Sequence, residues 1–140
     1  MRIRTLLPAL AVLVACASPL AAGESKPEKL DCSNAISTVE MNACGEQSFE
    51  KADAALNAIY KKALAAIPEM ATEAPYDAKS WEKALRESQR AWVAFRDAEC
   101  NGHVPMPWTG GTGATSEVYG CMTDKTEART KELKAIYEPE

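Results

Sequence analysis

Apolar residues recur every three or four positions in the first long segment of the chain. Between Thr38 and Ile67 the repeated positions are Phe49, Ala52, Leu56, Ile59, Ala63 and Ile67. This spacing puts them on one face of a helix, which Pro68 is expected to end because proline lacks a backbone N–H. Ser37 and Glu40 have the spacing of a capping box, so the helix is predicted to start at this point.

Two further segments show the same helical spacing. A second helix is predicted from a cap at Asp77 to about Cys100, with the stripe Trp81, Leu85, Ser88, Trp92 and Phe95. A third is predicted from about Ser116 to Tyr137, with the stripe Met122, Thr126, Arg129, Leu133 and Ile136. Residues 101–115 between them are rich in glycine and proline, a composition typical of a loop.

Together these segments predict an all-α fold. Alternating β-branched residues are missing, so no sheet is expected. Three helices of this length joined by loops fit an antiparallel three-helix bundle. Trp81, Trp92 and Phe95 fall on one side of the second helix and are interpreted as core. The 140 residues are enough for one domain of this kind.

The start of the chain has the features of an export signal. Residues 1–4 include two arginines, and residues 6–15 form an apolar run broken only by Pro8. That run is too short to cross a bilayer, which needs about 20 residues. A basic start, a short apolar run and small residues after it indicate secretion across a membrane.

Two cleavage sites fit this signal. Removal of residues 1–23, after Ala21-Ala22-Gly23, leaves a periplasmic or secreted protein. Alternatively, Leu13-Val14-Ala15-Cys16 is a lipobox, residues 1–15 are removed, and a lipid on Cys16 anchors an outer-membrane lipoprotein. Membrane attachment is expected only in that second case. Residues 24–31 are interpreted as a flexible leader, and residues 32–140 as the folded helical domain.

The charge balance narrows the classes of partner. The chain has 16 Lys and Arg against 20 Asp and Glu, a net charge of −4. Arg2 and Arg4 are the only charged residues of the first 23, so their removal leaves 14 basic residues and a net charge of about −6. An acidic chain is a poor nucleic-acid ligand, because phosphate contacts require Lys and Arg. Cationic partners are favoured instead.

Four cysteines follow the signal, and they predict two disulfides. An even number of cysteines in a small exported domain is typical of a disulfide framework. Three pairings exist, of which Cys32–Cys44 with Cys100–Cys121 joins the nearest residues in sequence. The chain contains no C-x-x-C and a single histidine, His103, so no metal site is expected. Each bridge is expected to stabilise the fold by roughly 3 kcal/mol.

The remaining chemistry does not favour an enzyme. The glycine-rich piece 110–113 lacks the Gly-Lys-Ser/Thr ending of a phosphate-binding loop. Asp97 and Glu99 are two positions apart on a helix, so their carboxylates point to different sides. One loop histidine without a nucleophile motif is weak support for catalysis. No cofactor is expected.

Three stretches resemble a known family, the LprI-type lysozyme inhibitor domain. The first is Asp53-Ala54-Ala55-Leu56-Asn57, preceded by Cys44. The second runs from Leu85 through Gln89-Arg90-Ala91-Trp92 and Phe95-Arg96-Asp97 to Cys100. The third comprises Gly110-Gly111-Thr112, Cys121 and Thr126-Glu127-Ala128-Arg129. The resemblance covers about residues 32 to 137, and Gly45 stands where alanine is more usual.

The resemblance implies a small, exported, helical, cysteine-bridged domain whose partner is a lysozyme. The motif residues are interpreted as structural, and they are Asp53, Asn57, Gln89, Arg90, Trp92, Arg96, Asp97 and Arg129. The disulfide-closed loop from Asn101 to Cys121 is the expected binding element, with His103, Trp108 and Thr112 as contact residues. The alternative is a non-enzymatic structural or adaptor module of the cell envelope with another protein partner.

Overall fold

Three helices account for most of the computed structural model, which describes residues 30–138. They are α1 (Thr38–Met70), α2 (Ala78–Ala98) and α3 (Ala114–Tyr137). No strand occurs in this range, so the all-α prediction is confirmed. The export signal, Cys16 and residues 24–29 of the leader lie outside the described residues. Within residues 30–138, no helix has both the length and the apolar content needed to cross a bilayer.

The direction of the helices follows from contacts near their ends. Gly45 of α1 lies against Tyr119 of α3, and Lys62 forms an ion pair with Glu138, so these two helices run parallel. Trp81 at the start of α2 donates a hydrogen bond from Nε1 to the Tyr137 hydroxyl at 3.0 Å. Helix α2 therefore runs antiparallel to both neighbours, which is the predicted up-down-up bundle.

Both predicted disulfides are present. Cys32 is joined to Cys44 and Cys100 to Cys121, each pair with Cα atoms 5.6 Å apart. Cys32 precedes the helix cap at Ser37, so the chain turns before α1 and brings its cysteine back to the first turns. The second bridge ties the end of α2 to α3. Together they fasten the same end of the bundle.

Three predicted helix boundaries need correction. Helix α1 continues through Pro68 to Met70, because proline near a helix end removes one hydrogen bond while the Ala71 N–H still donates to the Ile67 carbonyl. Helix α3 begins at Ala114, two residues earlier than expected. The predicted loop is also partly helical. A π-helical turn at Glu99–His103 extends α2, and a 3-10 turn occupies Met106–Trp108.

The apolar core lies between α1 and the other two helices. Its buried residues are Leu56, Ile59, Ala63, Ile67, Leu85 and Leu133. Helices α1 and α3 approach closely because small side chains such as Ala52 and Thr126 lie between them. Trp81 and Trp92 pack against this core as predicted, although both are only partly buried.

The prediction that Phe95 lies in the core is wrong. Its side chain is 56% exposed, with the Lys125 ammonium 4.8 Å from its ring centroid. The neighbouring Arg96 is buried instead. A helical stripe with three- and four-residue steps tolerates a shift of one position at its end, and here acidic and aromatic partners on α1 select the arginine.

Gly45 gives the first testable prediction. An ideal Cβ at this position would lie 2.9 Å from the Tyr119 Cβ, so the two helices would have to separate. Gly45→Ala is expected to lower the free energy of unfolding by about 1–2 kcal/mol through overpacking. Gly120→Ala is the matched control, because nothing lies within 4 Å of its Cβ position. That variant is expected to stabilise by about 0.5–1 kcal/mol. Urea denaturation of both variants measures this; equal effects would contradict the close approach.

The capping box predicts a dependence on pH. The Ser37 backbone N–H donates to the Glu40 carboxylate at 3.0 Å, and the Ser37 Oγ accepts from the Glu40 N–H at 3.2 Å. These contacts, the Ser37 backbone bond first, lower the pKa of Glu40. Because the folded pKa lies below the unfolded one, this contribution is present above the unfolded value and is lost as the pH falls toward the folded value.

Glu40→Gln tests this linkage, because a glutamine can still accept a hydrogen bond but does not titrate. The wild-type melting temperature is expected to fall more steeply than that of the variant as the pH decreases below the ordinary range of a glutamate carboxyl. The measurement is thermal unfolding at a series of acidic pH values. Parallel curves for the two proteins would show that the capping carboxylate contributes no pH dependence.

Candidate functional site

Arg96 is the centre of a polar network that joins the three helices. Its side chain is 9% exposed, with Nη1 at 3.3 Å from an Asp53 oxygen and at 3.4 Å from the Thr126 hydroxyl. Its Nε donates to Asp97 at 2.9 Å. The guanidinium lies 5.2 Å from the ring centroids of both Phe49 and Trp92. The stem and the charge are therefore both occupied inside the bundle.

A second cluster joins α2 to α3 around Arg129. Arg129 Nε donates to the Gln89 amide oxygen at 3.1 Å, and Nη2 donates to the Ser88 hydroxyl at 3.3 Å. On α1, the Asn57 amide donates to Asp53 at 2.8 Å, which connects that pair to the Arg96 network. Most of the motif residues singled out in the sequence thus contact one another between or along helices.

Arg90 differs from the other motif residues. It is exposed on α2 and lines shallow grooves together with Arg86 and Lys83. Arg86 is paired with Glu82 at 2.8 Å, and this hydrogen-bonded contact raises the pKa of Arg86. The structure therefore does not bring Arg90 into the same network as Arg96.

The predicted binding loop lies at the disulfide-bonded end. His103, Trp108 and Thr112 are all exposed there, and His103 Nδ1 is 3.7 Å from a Glu99 oxygen. Trp108 holds the loop: its carbonyl accepts the Gly111 N–H at 2.7 Å, and its ring covers Gly113 so closely that a Cβ there would overlap it. The three residues share one end of the bundle without forming a common contact cluster.

Charge is segregated along the bundle. Residues 31–50 and 97–124, which we call the acidic end, carry eight acidic residues and no lysine or arginine. The acids are Asp31, Glu40, Glu46, Glu50, Asp97, Glu99, Glu117 and Asp124. Residues 51–96 and 125–138 carry twelve basic and nine acidic residues. The acidic field is therefore concentrated where both disulfides lie.

Large apolar side chains are exposed at the same end. Those within the acidic end are Ile36, Val39, Met41, Met106 and Trp108. Phe95 borders it, two residues before Asp97. Exposed apolar side chains with a polar surround are typical of protein-binding surfaces.

A groove lies between the π-helical turn and α3 in the acidic end. It has a volume of about 380 Å³ and is lined by Glu99, Val104, Glu117, Gly120, Cys121, Asp124 and Lys125. We call it the acidic groove. Sequence reasoning missed its carboxylates, although the absence of Lys and Arg over residues 97–124 was a visible signal. Residues 30–138 contain no group of three His, Cys, Asp or Glu placed to hold a metal ion.

Comparison with known proteins identifies the family. Residues 31–133 match the family model described as "Lysozyme inhibitor LprI". The chain belongs to the LprI lysozyme inhibitor family. The match includes all four bridged cysteines, the Arg96 network and the acidic groove, so the resemblance noted in the sequence is confirmed.

Two relatives of this LprI chain come from bacteria. It is 34% identical over 140 residues to the uncharacterized protein R02472 of Rhizobium meliloti (strain 1021), with 96% of each chain covered. It is 30% identical over 100 residues to the uncharacterized protein YecT of Escherichia coli (strain K12), covering 67% of this chain and 60% of that one. No solved structure matches the chain.

Proposed function

We propose that this protein is an exported, non-catalytic inhibitor that binds a cationic lysozyme and blocks it. The match of residues 31–133 to the LprI lysozyme inhibitor family carries this proposal. Chicken-type lysozymes are cationic, and an acidic partner accelerates encounter with such a protein. The protein is proposed to act in the periplasm or after secretion, with a lipid on Cys16 as its only membrane attachment.

The distribution of structure supports a binding role. An inhibitor needs a surface that stays ordered before it meets its target, because loop ordering on binding costs affinity. Two disulfides fasten the acidic end, and its loop is held further by the contact between Trp108 and Gly113. The motif residues around Arg96 and Arg129 are proposed to maintain this scaffold. The loop carrying His103, Trp108 and Thr112 is proposed to contact lysozyme.

Inhibition of lysozyme tests the proposal directly. The exported protein is purified in its oxidised form and added to a chicken-type lysozyme acting on peptidoglycan. We expect turnover to fall with increasing inhibitor at low salt, and the inhibition to weaken as salt screens the acidic field. Unchanged lysozyme activity at low salt and in molar excess would reject the proposed function.

Trp108→Ala tests the loop. Trp108 is 40% exposed, and aromatic side chains of this kind often dominate binding energy. The variant is expected to need about tenfold more protein for half-inhibition, corresponding to a loss of roughly 1.4 kcal/mol. Tyr76→Ala is the matched control, because it removes an exposed aromatic residue near the opposite end of the bundle. Equal potency of the two variants would exclude Trp108 as a contact residue, provided that circular dichroism shows both folded.

A further inference from the structure

We infer that the acidic groove receives a lysine or arginine side chain of the cationic protein partner. The identity of that partner as lysozyme depends on the proposed function; the assignment of the groove to a basic side chain does not. Glu99 lies on the π-helical turn, and Glu117 and Asp124 lie on α3. The groove between them is concave and carries three carboxylates against one ammonium group.

The carboxylates of this groove have little internal compensation. Among residues 30–138, neither Glu117 nor Asp124 has a Lys or Arg nitrogen within ion-pair distance, whereas Arg86, Arg96 and Arg129 all have carboxylate partners. The only lysine of the groove, Lys125, places its ammonium 4.8 Å from the Phe95 ring centroid at one side. The acidic groove therefore retains negative charge available to a partner.

The surroundings favour a protein side chain over a free ion. Lys125 links the groove to the exposed Phe95, and Val104 in its wall is two residues from the exposed Met106. A charged pocket beside exposed apolar side chains is the arrangement found in protein interfaces. Covering these carboxylates with an apolar or acidic surface would leave charges buried without partners, which is costly. A guanidinium or ammonium group instead forms charge-assisted hydrogen bonds with them.

The other grooves have the opposite character. One groove of about 370 Å³ between α1 and α3 is lined by Lys51, Lys131 and Lys134 together with Glu127. Another, of about 290 Å³ on α2, is lined by Lys79, Lys83, Arg86 and Arg90 together with Glu82. A cationic partner is repelled from both, so charge complementarity directs it to the acidic groove.

A matched pair of double variants tests the assignment. Glu117→Gln with Asp124→Asn removes two charges from the groove, and Glu69→Gln with Glu73→Gln removes two exposed charges near the opposite end. Both change the net charge equally. We expect the groove variant to weaken the Kd for lysozyme by at least about tenfold and the control by less than about twofold. Equal weakening would overturn the assignment, since it would show that only net charge matters.

A second measurement does not depend on lysozyme. The wild-type protein is titrated with a tri-arginine peptide, and its backbone amide signals are followed by NMR. Changes confined to residues 99–104 and 117–125 would support the groove, even if lysozyme were not inhibited and the proposed function failed. Changes spread over all acidic residues would overturn it. Saturable changes at the same residues with Ca²⁺, but not with the peptide, would overturn it in favour of a metal site.

Discussion

Replacing Arg96 with alanine is expected to lower the free energy of unfolding by about 3 kcal/mol, the lower part of the range for breaking a buried ion pair. The lower part applies because Asp53 and Asp97 are 40% and 46% exposed, so their carboxylates regain water when the guanidinium is removed. The loss combines the contacts to both carboxylates and the stacking on Phe49 and Trp92. Urea denaturation followed by circular dichroism measures it.

Two further variants separate the charge from the packing. Arg96→Met keeps an apolar stem between the rings of Phe49 and Trp92 but removes the hydrogen bonds, so it is expected to cost about 1–2 kcal/mol less than alanine. Arg90→Ala is the control on the same helix, and its exposed position predicts a change within about 0.5 kcal/mol. If Arg96→Ala and Arg90→Ala were equally stable, the proposed structural role of the Arg96 network would be wrong.

The burial of Arg96 also shows where sequence reasoning reached its limit. Helical spacing predicts Leu56, Ile59 and Ala63 in the core, because each step repeats over several turns and errors do not accumulate. Near the end of α2, Phe95 and Arg96 are both compatible with the stripe. The choice depends on Asp53 and Phe49, which come from a helix more than forty residues earlier. Only the packed bundle specifies that contact.

The same reason explains the other differences. Gly45 reads as a weak helix residue in the sequence, whereas in the bundle it permits contact with Tyr119. The disulfide pairing was accessible because adjacent cysteines in a small exported domain limit the choices. The acidic groove was not accessible, since it forms only when the π-helical turn after α2 is held against α3. Long-range packing, and not local propensity, decides each of these cases.

The two halves of the molecule divide support from recognition. The aliphatic core and the Trp81–Tyr137 contact lie away from the disulfides, in the part of the bundle with a slight excess of basic residues. The acidic end has fewer buried aliphatic residues and more exposed apolar ones. A small domain that exposes apolar surface at one end needs covalent bonds to keep that end ordered. The disulfides are therefore expected to matter for recognition as well as for stability.

Removing the Cys100–Cys121 bridge is expected to have the largest effect on stability. In the chain-entropy model a loop of 21 residues is worth about 3 kcal/mol. Cys100 is also fully buried, so its replacement by alanine leaves a small cavity and raises the expected loss to about 4 kcal/mol. The measurement is urea denaturation of the Cys100→Ala, Cys121→Ala double variant. Lysozyme inhibition should weaken in parallel, because the loop and the acidic groove both lie next to this bridge.

The Cys32–Cys44 bridge is the internal control. It closes a shorter span of 12 residues, and Cys32 is exposed, so no cavity follows its removal. The Cys32→Ala, Cys44→Ala variant is expected to lose about 2–3 kcal/mol, less than the other pair. It should retain more inhibition, since its bridge fastens the segment before α1 and not the binding loop. If the losses occurred in the reverse order, burial of Cys100 would not determine the cost, and the acidic end would be ordered mainly by the N-terminal bridge.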